Sequence, residues 1–246
     1  MKEFWLFFAF PLNLMLAALW AVFWLWIRSC HPQSPAVRFL QSPAATISAI
    51  ILLIISCIWI GLSRDRVFVQ SFVFIILLLY VQTVLFLITV RGWKRQDGSV
   101  RWRFLLLHAG LLLALGSGFW GNPDSNEYRV KLALEETSRV AYQMDGQRAV
   151  LPYELSLRGL DIEYSDEGKM IDYEAFVSVG DSKPAAVSVN HPYQVRLGED
   201  IYLASVSETS CVLQIVKEPW RYFALAGIIM MLAGAFLLFV NGPKKR

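Results

Sequence analysis

Five long apolar segments alternate with short polar ones along this chain. They span residues 4–27, 44–62, 67–90, 104–120 and 220–240 and contain mainly Leu, Ile, Val, Phe, Trp and Ala. A run of about 17–25 apolar residues is long enough to cross the hydrocarbon core of a bilayer as a helix. The pattern therefore predicts an α-helical membrane protein with five transmembrane helices.

Several polar residues modify this pattern. Pro11, together with Asn13, predicts a kink near the start of the first helix. Residues 28–43 contain three prolines and are expected to form a loop, and residues 63–66 a tight connection. The glutamines of the third segment, Gln70 and Gln82, are expected to hydrogen-bond a neighbouring helix.

Small residues recur in the last two apolar segments. Gly110, Ala114 and Gly118 are spaced every four residues, and residues 226–234 contain two further Ala-Gly pairs. Such small-xxx-small rows allow two helices to approach closely. Ordinary packing of a helical bundle explains them without any further function.

The region between the fourth and fifth apolar segments has a different period. Tyr173, Ala175, Val177 and Val179 alternate with other side chains, and similar alternation occurs from Leu155 onward. Period-two alternation is typical of half-buried strands. Turn residues lie between the runs, at Gly159, 165–168, 180–184 and Gly198, and Cys211 begins a final expected strand. The fold class is therefore a helical membrane protein with an inserted antiparallel β domain, either a sandwich or an open barrel.

These patterns divide the chain into three parts. Residues 1–120 hold the first four transmembrane helices, residues 121–219 the β-rich domain, and residues 220–246 the last helix and a basic tail. About 97 residues suffice for one β core.

Charge is distributed unevenly between these parts. Residues 122–218 contain 17 acidic and 9 basic residues, a net charge of −8, whereas the rest of the chain carries +11. The basic residues flank apolar segments, which indicates contact with the lipid bilayer and cytoplasmic loops. Because the one sizeable polar domain is acidic, nucleic acid is excluded as a partner.

The loop 91–103 fixes the expected topology. It contains five basic residues against Asp97 alone, and the positive-inside rule places it in the cytoplasm. The basic tail 244–246 then also lies inside, and the N-terminus and the β domain lie outside. Arg64 and Arg66 fall on the outer side, against the rule.

One ionisable side chain interrupts the fourth apolar segment. His108 follows Arg103 by five residues and is surrounded in sequence by Leu, Ala and Gly. An ionisable residue inside a membrane segment is costly and indicates a functional site. It is either a hydrogen-bonding residue, a ligand of a metal or heme iron, or a proton relay. None of the apolar segments has an Asp or Glu in its interior, which favours heme over a proton path.

The remaining candidates carry less weight. His31 lies in a loop, where it could pair with Cys30 on a metal, and His191 lies at an expected turn. Cys57 and Cys211 form no C-x-x-C spacing with each other or with Cys30. No nucleophile elbow, phosphate loop or zinc-protease motif is present, so no catalytic residue is assigned, and the carboxylates of the β domain are expected to form a solvated face.

Three stretches together resemble a known family. They are the helix around His108-Ala-Gly110, the segment Val-Asn-His-Pro-Tyr-Gln-Val at 189–195, and Lys-Glu-Pro-Trp-Arg at 217–221 before a span rich in small residues. In this order they resemble the ResB (CcsB) family of cytochrome c biogenesis proteins.

The resemblance implies a bacterial inner-membrane protein with an extracytoplasmic β domain, working with a CcsA (ResC)-like membrane partner. The complex joins heme to apocytochrome c through thioether bonds, so the chain is a component of a heme lyase and not a self-contained enzyme. It implies that His108 is an axial ligand of the heme iron, and that heme is shared with the partner. The chain lacks the partner's tryptophan-rich segment.

Two questions remain open at this stage. Lys94, Arg95, Arg101 and Arg103 are either topology signals or contacts for the heme propionates. The chain as a whole is alternatively a structural membrane subunit without a cofactor, whose β domain docks a soluble partner.

The expected topology is testable by labelling. Single cysteines placed at Ser99 and Ser165, in a background without Cys30, Cys57 and Cys211, should react with membrane-impermeant maleimide from opposite sides of the membrane. The reason is that the five basic residues of loop 91–103 hold it in the cytoplasm. Labelling of both from the same side would rule out this topology.

Overall fold

A computed structural model describes residues 8–63, 68, 69 and 71–241 of the chain. Those residues form two compact units. One unit contains the described residues up to Pro123 together with those from Trp220 onward, and it is helical. The other runs Asp124–Pro219 and is almost entirely β-sheet. Insertion of the second unit into the first agrees with the change of period in the sequence.

Within the described residues, the helical unit contains five long helices and one short one. In chain order they are α1 (Leu12–Cys30), α2 (Pro35–Leu40), α3 (Pro43–Leu62), α4 (Phe72–Gly92), α5 (Trp102–Gly121) and α6 (Arg221–Asn241). Within the described ranges, five helices are long and apolar enough to cross a membrane, namely all except α2. The five-helix prediction is confirmed.

Several predicted boundaries were wrong. Among the described residues, the helix of the first predicted segment begins at Leu12, because Pro11 occupies its N-cap position; the part of the prediction that falls on residues 4–7 lies outside the described part. The predicted loop 28–43 contains α2, which starts where Ser34 caps the amide of Val37 ahead of a first-turn proline. Residues 64–66, predicted as a tight connection, also lie outside the described part.

The third predicted segment starts later than its apolar composition indicated. Its helix, α4, begins at Phe72, because the hydroxyl of Ser71 accepts a hydrogen bond from the amide of Phe74 and so caps the first turn. Phe68 and Val69 precede it in a short turn, and Gln70 lies outside the described residues. Composition alone did not distinguish an apolar turn from an apolar helix.

Polar side chains link α1, α4 and α5 inside the apolar bundle. Trp120 donates its indole hydrogen to Oε1 of Gln82 at 3.1 Å. Asn13 donates to the carbonyl of Trp120 at 2.8 Å, and Trp20 donates to the hydroxyl of Thr83 at 3.2 Å. The prediction that Gln82 hydrogen-bonds a neighbouring helix is confirmed. Such bonds contribute on the order of 0.6 kcal/mol each in membrane bundles.

Two glycines allow α5 and α6 to touch through their backbones. A Cβ added at Gly110 would lie 2.6 Å from the carbonyl oxygen of Gly227, and one added at Gly227 would lie 2.5 Å from that of Gly110. Gly234 in α6 likewise packs on Leu107. Gly118 is different, because a Cβ there would meet no atom within 4 Å. The predicted row therefore packs at Gly110 and Ala114 but not at Gly118.

The β unit is one eight-stranded antiparallel sheet. Its strands are β1 (Asn126–Ala133), β2 (Thr137–Gln143), β3 (Arg148–Tyr164), β4 (Met170–Val179), β5 (Ala185–Ser188), β6 (Tyr193–Arg196), β7 (Glu199–Ser207) and β8 (Ser210–Lys217). They are arranged in the order β5-β4-β3-β2-β1-β8-β7-β6. Apart from β5 and β6, which stand at the two ends of this order, each strand lies beside its neighbours in sequence, and β1 pairs with β8 from Asn126↔Lys217 to Ala133↔Ser210.

The sheet curls into a barrel. Its two edge strands, β5 and β6, are consecutive in the chain and are joined by a tight turn, in which the amide of His191 donates to the carbonyl of Ser188 at 3.1 Å, so the two edges of the sheet come together there. One face of the sheet forms a single apolar core with fully buried side chains from seven of the eight strands, all except β6, among them Val130, Leu155, Val177 and Leu213. Of the two predicted β architectures, the structure is the open barrel and not the sandwich.

Two details of the β prediction were wrong. Gly159 was expected in a turn, but it lies within the 17-residue strand β3, at a register shift between Leu157 and Gly159 where the strand bulges. There the ring of Phe176 lies 3.4 Å from the position of a Cβ, an ordinary packing distance. Strands β1 and β2 were not predicted, although β1 alternates in burial as clearly as β8.

The glycine contact gives a matched pair of variants. Gly110→Ala should lower the thermal unfolding midpoint of the full chain in detergent, because the new methyl group would overlap the carbonyl of Gly227. Gly118→Ala should leave the midpoint unchanged or raise it, since alanine is the better helix former by about 1 kcal/mol and meets no atom. Equal effects of the two changes would contradict the packing described here.

Candidate functional site

The imidazole of His108 is held by its own helix. His108 lies in the second turn of α5, half-buried, and its Nδ1 is 2.9 Å from the backbone carbonyl oxygen of Phe104. A carbonyl oxygen only accepts hydrogen bonds, so Nδ1 must be the protonated nitrogen. Nε2 then carries the lone pair. No described residue hydrogen-bonds Nε2, so Nε2 is the ring nitrogen that remains open to a ligand.

Two further side chains form a stack with this imidazole. The rings of Phe104 and His108 are stacked, with centroids 3.9 Å apart and planes inclined at 23°. The guanidinium carbon of Arg101 lies 4.8 Å from the centroid of the Phe104 ring. Residues 101, 104 and 108 share one face of a helix because they are three and four positions apart. The sequence pattern therefore places a cation, an aromatic ring and an imidazole in line.

The stack is anchored to α4. A Cβ added at Gly92 would lie 2.5 Å from Cζ of Phe104, so the phenyl ring occupies space that only glycine leaves open. Arg101 donates from Nη1 to the carbonyl of Gly92 at 3.2 Å, and its amide donates to the carbonyl of Trp93 at 2.7 Å. The end of α4 and the start of α5 thus fix the position of Arg101 and Phe104.

The basic residues before α5 form a small hairpin. Lys94 and Val100 make an antiparallel bridge, and the turn between them includes Gly98 at φ 81°. Hydrogen bonds from the hydroxyl and amide of Ser99 lower the pKa of Asp97. Lys94, Arg95 and Arg101 line a shallow groove of about 500 Å³ on this hairpin.

The two arginines predicted as propionate contacts differ in position. Arg101 contacts Phe104 directly, on the same face as His108. Arg103 is half-buried in the first turn of α5 and lies five residues before His108, about 140° around the helix axis at 3.6 residues per turn. Of the pair, Arg101 is the one that the structure brings beside the imidazole stack.

The arrangement fits an axial ligand of heme iron. It offers an imidazole whose Nε2 has no hydrogen-bond partner among the described residues, apolar helix around it, and a guanidinium one ring away for an anionic group. It does not resemble an acid–base pair, because no described carboxylate contacts His108. Whether His108 binds heme remains a prediction at this point.

The other predicted ligands are not brought together. His31 is exposed after the end of α1 and meets the edge of Trp26, and His191 is exposed beside the hairpin turn of β5 and β6. Cys30 and Cys57 are exposed, whereas Cys211 is buried in the barrel, where burial raises its thiol pKa to about 11. Among the described residues, no group of three or more His, Cys, Asp or Glu side chains could hold a metal ion.

The prediction that the carboxylates of the β domain are all solvated was wrong for Glu199. This residue is 3% exposed; Tyr153 donates its hydroxyl to Oε1, and Nε and Nη2 of Arg196 lie 2.6 Å from Oε2. Burial and the bond to Glu199 raise the pKa of Tyr153, and burial followed by the charge of Glu199 raises that of Tyr128. In the sequence, the i,i+3 spacing of Arg196 and Glu199 around Gly198 was the signal that could have predicted this ion pair. Because both carboxylate oxygens are used, we assign the cluster to structure.

Comparison with known proteins bears on this site. The model of the ResB-like family matches residues 96–212, a segment that includes His108 and strands β1–β7. This segment is ResB-like. The resemblance drawn from the sequence is thus confirmed where it was most detailed, from α5 to the last strands of the ResB-like segment.

The other comparisons add less. A solved chain of the cytochrome c heme lyase CcmF is similar with a TM-score of 0.41 and 11% sequence identity, over 77% of this chain and 33% of that chain. This chain therefore spans about a third of the length of that protein. A search of the curated proteins found no match.

Proposed function

We propose that this chain is the ResB-like subunit of a membrane complex for cytochrome c biogenesis, which presents heme for attachment to apocytochrome c. The observation that carries the proposal is the tautomer of His108, which leaves Nε2 free inside an apolar helix of the ResB-like segment. A residue that served packing alone would need no such free nitrogen. Heme is the substrate of the complex, and it supplies the iron to which Nε2 binds.

Each residue of the stack has a separate task in this proposal. The carbonyl of Phe104 holds the proton on Nδ1 and so sets the orientation of the imidazole. The ring of Phe104 keeps water from one face of the imidazole. The guanidinium of Arg101 pairs with a propionate, for which it is better placed than Arg103. The second axial ligand comes from a CcsA/ResC-like partner.

The direction of the process follows from the charges. The basic hairpin 93–101 lies on the cytoplasmic side in this proposal, and the β domain of residues 121–219 lies on the extracytoplasmic side. Heme made in the cytoplasm then meets His108 soon after it enters the membrane. The acidic barrel outside faces apocytochrome c or the extracytoplasmic part of the partner.

Removal of the imidazole tests the assignment. His108→Ala should lower the heme content of the complex co-purified with its CcsA/ResC-like partner by about tenfold or more, since even loss of an outer-shell residue at a metal site typically costs 10–100-fold. The pyridine hemochrome assay measures the heme, and holocytochrome c formation should stop as well. His31→Ala and His191→Ala are matched controls and should leave heme content unchanged.

A second variant separates loss of the ligand from loss of the fold. His108→Gly leaves a space for free imidazole, so added imidazole should restore part of the bound heme. Full heme content and full maturation with His108→Ala would contradict the ligand role. The chain would then be the structural subunit without a cofactor, with His108 serving only helix packing.

A further inference from the structure

A second basic groove lies at the end of α1, away from His108. It has a volume of about 550 Å³ and lies where the end of α1, the short helix α2 and the end of α4 meet. Leu25 and Val37 give it an apolar part. Arg28, Ser29, Gln41 and Arg91 give it a polar part. The groove therefore combines an apolar surface with a cationic one. Such a surface suits a molecule that has an apolar part and an anionic head.

Among the described residues, neither arginine of this groove has a carboxylate partner. The four ion pairs within the described residues all lie in the β unit. Arg91 donates from Nη1 to the backbone carbonyl of Gln41 at 2.9 Å, which holds its guanidinium beside the groove and leaves its charge uncompensated. No acidic residue lines the groove. Two cations without a counter-charge favour an anionic ligand.

The amide of Gln41 adds an unsatisfied donor. Its Nε2 is buried and has no hydrogen-bond partner in the described part of the chain. A buried donor without a partner costs about 1–3 kcal/mol. An acceptor oxygen bound in the groove offers Gln41 the hydrogen bond that this chain does not supply.

The groove lies at the ends of two segments that are long and apolar enough to cross a membrane. Arg28 lies in the last turn of α1 and Arg91 in the last turn of α4, both at the end of a segment long enough to cross a membrane. A basic residue in the last turn of a helix is favoured by the helix dipole, which explains each arginine singly. It does not explain why the two converge on one groove beside exposed Leu25 and Trp26.

We propose that this groove binds the phosphodiester headgroup of an anionic phospholipid. Arg28 and Arg91 contact the phosphate oxygens, and one acyl chain lies along the exposed surface of α1 at Leu25. Basic pockets between transmembrane helices near the membrane surface bind anionic lipid headgroups in this way. The site is separate from His108, and its occupancy does not depend on heme.

Lipid retention by the purified full chain tests the proposal. Native mass spectrometry in detergent, with equimolar phosphatidylglycerol and phosphatidylcholine, should show preferential retention of phosphatidylglycerol. Arg28→Gln and Arg91→Gln should each reduce that retention about fivefold, and together about 30-fold, since each cation near the surface contributes about 1 kcal/mol. Arg38→Gln with Arg95→Gln removes the same charge outside this groove and should leave retention unchanged.

Four results would overturn the proposal. Equal retention of the two lipids by the unaltered chain would show that the groove does not select anions. An equal loss in the Arg38/Arg95 control would reduce the effect to net charge. Displacement of the lipid by millimolar inorganic phosphate would assign the site to a free anion instead, and displacement by hemin would assign it to heme propionates.

Discussion

A polar group inside an apolar helical bundle must find its hydrogen-bond partner within the protein, because lipid offers none. This constraint explains most of the specific contacts in the helical unit. Trp120 bonds Gln82, Asn13 bonds the carbonyl of Trp120, and Trp20 bonds Thr83. His108 meets the same constraint with the carbonyl one turn before it. An imidazole has two nitrogens, however, and satisfying one of them leaves the other available for chemistry.

Because the β domain is inserted between two helices, the chain must leave the helical unit and return to it at neighbouring points. In the helical unit, Gly110 and Gly227 bring α5 and α6 into backbone contact, and Gly121 packs against the ring of Trp220 where the two helices flank the insertion. In the β unit, the first and last strands pair with each other, starting at Asn126 and Lys217. Each unit thus holds its two chain ends together by its own contacts.

The sequence predicted what depends on composition and period. Five apolar runs became five helices, and the alternation from Leu155 and from Tyr173 became strands with buried Leu155, Leu157, Ala175 and Val177. It failed where a local contact overrides period. Ser71 caps α4 four residues later than hydropathy indicated, and the bulge at Gly159 lets β3 continue through an expected turn.

The candidate site was also predictable only where composition and sequence spacing reveal it. A lone histidine in an apolar run is visible in any sequence, and its distance from Arg103 follows from counting. The stack with Phe104 and Arg101 was not predicted. The spacing of three residues from Arg101 to Phe104 and of four from Phe104 to His108 nevertheless places all three on one face of the helix. The bond from Arg91 to the Gln41 carbonyl and the bond from Tyr153 to Glu199 join residues about 50 positions apart, so no local pattern reports these two contacts.

The central claim is that the fold leaves Nε2 of His108 free to bind iron, and the tautomer of this side chain tests it most directly. Nitrogen NMR of the ¹⁵N-histidine-labelled chain in micelles at pH 8, where an unperturbed imidazole is neutral, distinguishes the two ring nitrogens. Assignment follows from loss of the signals in His108→Ala. We expect a protonated Nδ1 and an unprotonated Nε2. A proton on Nε2 would contradict the account, because that nitrogen would then have no lone pair for iron.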